Sequence, residues 1–97
     1  MNIGLLDIDG HGFPNIALMK THLLKTKSEY FNQVQLGVKK FELRENDRNF
    51  KVGDKITLLE IDENKITTGK KITDLEIKYI LHGGCFGLSP RYCIINW

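Results

Sequence analysis

From Lys27 to Leu36 the apolar residues Tyr30, Phe31 and Val34 recur at helical spacing, whereas from Lys40 to Arg44 charged and apolar residues alternate. Intervals of three and four place side chains on one helix face, and an interval of two places them on opposite faces of a strand. The pattern predicts a helix over about 27–36, closed by Gly37 in the left-handed conformation that a residue without Cβ adopts readily. A half-buried strand should follow, with Phe41 and Leu43 turned to the core and Glu42 and Arg44 turned away from it. Thr26-Lys-Ser-Glu29 fits a capping box, in which the hydroxyl and the carboxylate satisfy the first free amides of the helix.

The same reading assigns strands to Thr21–Lys25, Lys55–Ile61, Ile66–Thr68, Lys71–Leu81 and Tyr92–Trp97, separated by turn chemistry at Val52-Gly-Asp54, Asp62–Asn64 and Gly83-Gly84. One helix against five or six short strands, mostly joined as hairpins, is an α+β arrangement that suits a small barrel-like domain. Residues 1–20 stand apart. A strand-like run, Asn2–Ile8, and a helix start at Asn15 resemble half of a βα unit, so this leader is either an added edge strand or an attached arm. Asp9-Gly-His-Gly lacks the flanking strands of a dinucleotide fingerprint.

A length of 97 residues permits one domain with one core. The formal charge of +2 is close to balance, but Met1–Gly10 holds Asp7, Asp9 and no cation, which leaves 14 cations against 10 anions in the rest. That is a mild lean toward phosphate. Cys85 and Cys93 form no disulfide framework, and neither they nor His11, His22 and His82 have the spacing of a metal site or of a His–carboxylate pair. A cytoplasmic domain with no metal, no cofactor and no membrane partner is expected, since no stretch approaches 18 apolar residues and Asp7 and Asp9 interrupt the only hydrophobic run near the start.

Gly37-Val-Lys39-Lys-Phe-Glu42-Leu-Arg44 matches the pattern G-x-K-x-x-E-x-R and continues into Asn46-Asp-Arg48 and Val52-Gly-Asp54. On these residues the chain resembles ASCH domains of the PUA-like superfamily, in particular a subgroup of small bacterial and phage domains described as RNA-binding or of unknown function. The likeness runs over about 21–97, taking in His22-Leu-Leu-Lys25, Glu29-Tyr-Phe31, Thr68-Gly69 and Tyr92-Cys-Ile-Ile. It implies a five- to six-stranded pseudo-barrel with one main helix packed against it.

Strand parity unites Glu42 with Arg44, and the turn after Gly37 can bring Lys39 to them. A guanidinium that forks onto phosphate or a base edge, an ammonium and an accepting carboxylate suit RNA or a nucleotide-like ligand, with Asp47, Arg48, Lys51 and Tyr92 as further candidate contacts. A second reading is an amidohydrolase acting on an N-acylated nucleoside. ASCH relatives of that kind use a lysine and an arginine at positions matching Lys39 and Arg44, but place a threonine where this chain has Glu42. There Lys39 would be the base or nucleophile and Arg44 the oxyanion stabiliser. A third is an accessory module whose groove binds another protein. Against all three stands a solvated strand face carrying a surface ion pair worth roughly 0–1 kcal/mol.

Overall fold

The computed structural model describes residues 19–97. Its elements run β1 (Thr21–Lys27), α1 (Ser28–Gln35), β2 (Phe41–Glu45), β3 (Lys55–Ile61), β4 (Thr67–Glu76), β5 (Tyr79–His82) and β6 (Tyr92–Asn96). The expected strand at Asn2–Ile8 and the choice between edge strand and arm lie outside the described residues. Met19 and Lys20, the described end of the expected helix from Asn15, are not helical.

The six strands form two three-stranded sheets, β1-β3-β4 and β2-β6-β5. The α+β class is therefore as expected, although the connections are less local than a run of hairpins. β1 pairs with β3 in parallel, Leu24 opposite Leu58, and β2 reaches across the sequence to β6, Leu43 opposite Ile94. Only β3–β4 and β5–β6 join consecutive strands in antiparallel pairs. Among the described residues no strand ladder links the two sheets.

The expected strand over Lys71–Leu81 is cut in two. Ile77 and Lys78 carry the chain from one sheet to the other, with the Ile77 amide bonded to the Asp54 carbonyl and the Lys78 amide to the Asn96 carbonyl. Ile77 is fully buried at this crossing, which is why its apolar side chain reads as part of a continuous strand. Upstream, Thr67–Glu76 is a single strand whose pairing with β3 shifts register twice, so the gap expected between Thr68 and Lys71 is absorbed by irregularities in one ladder.

The core draws on both sheets and the helix: Leu24, Ile56, Leu58, Ile80, Cys93 and Ile95 from strands, Phe31 and Val34 from α1, Phe50 from a loop and Ile77 from the crossing. Burial of such side chains is the main favourable term holding the sheets together, at roughly 1.5–3 kcal/mol for each large one. β2 supplies no apolar side chain to this cluster. Its burial pattern is the reverse of the expected one, with Glu42 only 5% exposed while Phe41 and Leu43 are 47% and 55% exposed.

A buried polar contact fixes the other end of β1. Asp54 accepts hydrogen bonds from His22 Nε2 at 2.8 Å and from the Lys20 and Lys51 amides at 3.1 Å each. His22, expected to have no carboxylate partner, thus has one 32 residues away. Its ring also packs edge-on against Phe50, with centroids 4.7 Å apart. Burial alone would raise the Asp54 carboxyl, but the three donors outweigh it and hold the group below the usual carboxylate range.

Candidate functional site

The Glu42 carboxylate is the centre to which the charged side chains converge. Arg44 Nη1 donates to its Oε1 at 3.0 Å, the Thr26 hydroxyl donates to its Oε2 at 2.9 Å, and Lys39 Nζ lies 3.9 Å from Oε2. Glu42 and Arg44 share a face because they are two apart on β2, as parity requires. The face is the inner one, so the pair lies in the seam where β2 meets β1.

Lys39 joins them through the end of α1. The amides of Val38 and Lys39 both bond to the Gln33 carbonyl, and Gly37 at φ 76° turns the chain between helix and strand. The Lys39 ammonium donates to the Phe41 carbonyl and lies 4.8 Å and 5.7 Å from the centroids of the Phe41 and Tyr30 rings, within cation–π range. Burial is the largest influence on this amine and lowers its pKa. Glu42 opposes the change, Arg44 reinforces it, and the result lies below the ordinary lysine value.

Arg44 Nη1 has a second acceptor, the Lys25 carbonyl at 3.0 Å, and Arg48 Nη1 donates to the Leu23 carbonyl at 3.1 Å. Both carbonyls belong to alternate residues of β1, whose other edge pairs with β3. Two guanidinium groups thus occupy acceptors that an unpaired strand edge would leave open. Among the described residues no hydrogen-bond partner engages Arg44 Nε or Nη2, which leaves those donors for a ligand.

Thr26, Lys39, Glu42 and Arg44 line a cleft of about 440 Å³ together with Lys25, Lys27, Tyr30, Phe41, Leu43 and Ile61. The volume falls in the range of small-molecule sites. Four cationic side chains, Lys25, Lys27, Lys39 and Arg44, face one carboxylate, and two aromatic rings contribute apolar wall. The arrangement can bind an anion through its ammonium and guanidinium groups while the rings cover an apolar or planar portion of the same molecule.

Of the residues singled out in the sequence, Lys39, Glu42 and Arg44 are brought together, while Asp47, Arg48, Lys51 and Tyr92 are not among the cleft's lining residues. Asp47 and Arg48 are exposed neighbours 3.9 Å apart. Lys51 is exposed, and its amide serves the Asp54 clip. Tyr92 pairs with Glu45, out of phase with Arg44, and therefore lies on the opposite face of the sheet, its ring under the Arg91 guanidinium.

Thr26 was hidden by its sequence context. It belongs to β1, the N-cap is Lys27, and that residue makes no side-chain capping bond, so the expected capping box is absent. The hydroxyl goes to Glu42 instead. The usable signal was alternation of His22, Leu24 and Thr26, the three buried positions of β1. Among the described residues no group of three or more His, Cys, Asp or Glu side chains could hold a metal ion.

A family model described as a domain of unknown function, DUF3850, matches residues 21–97, from the first residue of β1 to Trp97. The chain belongs to the DUF3850 family. The match covers both sheets, the helix and every residue of the cleft, so the whole site lies within the DUF3850 domain. No curated protein matches the chain.

Proposed function

We propose that this DUF3850 domain is a binding module of the ASCH and PUA-like kind, whose cleft takes RNA or a nucleotide-like ligand. The observation that carries the reading is the convergence of Lys39, Glu42 and Arg44 in one cavity large enough for a nucleotide. Two short sheets around a shared core, with the helix contributing Phe31 and Val34, support the pseudo-barrel architecture that the resemblance implies. A phosphate would take the free donors of Arg44 and the ammonium groups, and a base or sugar would lie against Tyr30 and Phe41.

The test is calorimetric titration of the protein with the four nucleoside 5′-monophosphates. Binding that weakens with added salt and falls about tenfold or more in Arg44→Ala is the expected result. Binding of none of them, or equal binding by the Arg44 variant, rules the reading out.

One observation favours an amidohydrolase as the second reading. Thr26, delivered from β1, places a hydroxyl 2.9 Å from Glu42, so a nucleophile and a carboxylate base are adjacent although position 42 itself carries no threonine. Thr26 Oγ1 would attack the acyl carbonyl of an N-acylated nucleoside while its proton passes to Glu42. The C–N bond would then break, the amine leaving with that proton, and water would hydrolyse the acyl ester on Thr26 to a carboxylic acid and the free hydroxyl. Release of the acid from N-acetylcytidine, abolished in Thr26→Val, is the corresponding assay.

A further inference from the structure

One end of the outer face of the β2-β6-β5 sheet exposes large apolar side chains, Phe41, Leu43 and Tyr79 among them. Phe41, Asn96 and Tyr79 stand in one row of the ladder, and Leu43, Ile94 and Leu81 in the next. Tyr79 is 60% exposed. Phe41 belongs to this row and also lines the cleft, so the row begins at the mouth of the candidate site.

Charge indicates what could cover it. Lys40 and Lys78 directly precede Phe41 and Tyr79, and their backbones flank the end of β6: the Trp97 amide bonds to the Lys40 carbonyl, and the Lys78 amide to the Asn96 carbonyl. With Lys39 over the Phe41 ring, this end of the sheet carries three ammonium groups, and the neighbouring carboxylate, Glu42, follows Phe41 but is buried on the inner face beside Lys39 and Arg44. A second cavity of about 420 Å³ adjoins the cleft through Lys27 and Ile61, but there Glu29, Asp62 and Glu63 outnumber Lys27 and Lys65. A polyanion leaving the cleft is therefore favoured on the Phe41 side and repelled on the other. A second copy of the chain seated on this end would set ammonium groups against ammonium groups.

From these features we infer that the outer face of β2-β6-β5 is a stacking platform for single-stranded nucleic acid, continuing from a nucleotide held in the cleft. This rests on the nucleotide reading of that cleft. Neighbouring bases stack on Phe41 and Tyr79, which lie two strand spacings, about 10 Å, apart, and their phosphates are met by Lys40 and Lys78. Stacking of this kind tolerates any base, because every base presents a π face.

The experiment is titration of the full chain with uridine 5′-monophosphate, tetrauridylate and tetrathymidylate, the last two separating RNA from DNA as the source of the strand. At least one tetramer binds about tenfold or more tighter than the monophosphate. Tyr79→Ala lowers that tetramer's affinity about fivefold or more and leaves the monophosphate unchanged, while Tyr79→Phe retains tetramer affinity. Tetramers that bind no tighter than the monophosphate overturn the platform, as does a Tyr79→Ala protein that binds them equally well. So does a dimer in sedimentation that Tyr79→Ala dissociates without any change in tetramer affinity. In the last two cases the cleft reading survives if Arg44→Ala abolishes monophosphate binding. Monophosphate binding indifferent to Arg44→Ala overturns the cleft reading itself.

Discussion

The Thr26 hydroxyl donates to Glu42 Oε2 at 2.9 Å, joining a strand of one sheet to a strand of the other through two buried side chains. Glu42 has further partners in Arg44 and Lys39, so a single carboxylate ties β1, β2 and the end of α1 together.

Glu42→Gln should lower stability by about 1–3 kcal/mol, because it keeps the shape but leaves two half-buried cations with a weaker acceptor. Urea unfolding monitored by Trp97 fluorescence measures this. An unchanged midpoint would mean that the ion cluster contributes nothing net.

Thr26→Val preserves volume and removes the donor. The expected cost is about 1–2 kcal/mol, and nucleotide binding should persist within a few-fold if the cleft is a binding site alone. A loss of acid release from N-acetylcytidine with binding retained would favour the hydrolytic reading.

Lys39 should titrate below the exposed lysines, because burial disfavours its charged form. Glu42 raises this pKa and Arg44 lowers it, so Glu42→Gln should depress it further and Arg44→Ala should raise it. Carbon-13 NMR of lysine Cε resonances against pH, with Lys39→Met for assignment, measures both displacements.

The Asp54 clip makes a signed prediction about acid stability. A carboxyl held lower in the folded than in the unfolded chain contributes stability above its unfolded pKa of about 4 and loses that contribution as pH falls through the folded value. Glu60, lowered chiefly by its hydrogen bond from Thr68, acts in the same direction. Asp54→Asn should cost about 1–3 kcal/mol at neutral pH and flatten the decline of stability below about pH 4. Equal slopes in wild type and variant, from denaturant melts between pH 2 and 7, would rule this out.

Much of this architecture was legible in the chain, and the failures have physical causes. The span Lys55–Ile61 is assigned correctly because β-branched and leucine residues are bounded by turn signals on both sides. The trio Lys39, Glu42 and Arg44 is picked out by the G-x-K-x-x-E-x-R resemblance, with strand parity uniting Glu42 and Arg44 and the turn after Gly37 bringing in Lys39. Its orientation is not, since Phe41 and Leu43 are the apolar residues of β2 and hydrophobicity alone sends them inward. Thr26 is missed because Thr-x-x-Glu serves equally as a cap or as a strand end, and only the distant Glu42 decides between them. The crossing at Ile77 escapes for the converse reason, that a buried residue between two strands keeps their alternation unbroken.

With polar groups on its inward face and hydrophobic ones outside, β2 is fastened to β1 of the neighbouring sheet by hydrogen bonds of charged side chains rather than by oil. Such a fastening is directional, because a hydrogen bond constrains angle as well as distance. The join between β1 and β2 thus rests on one hydroxyl, one carboxylate and one guanidinium, and its strength depends on charge as well as on contact.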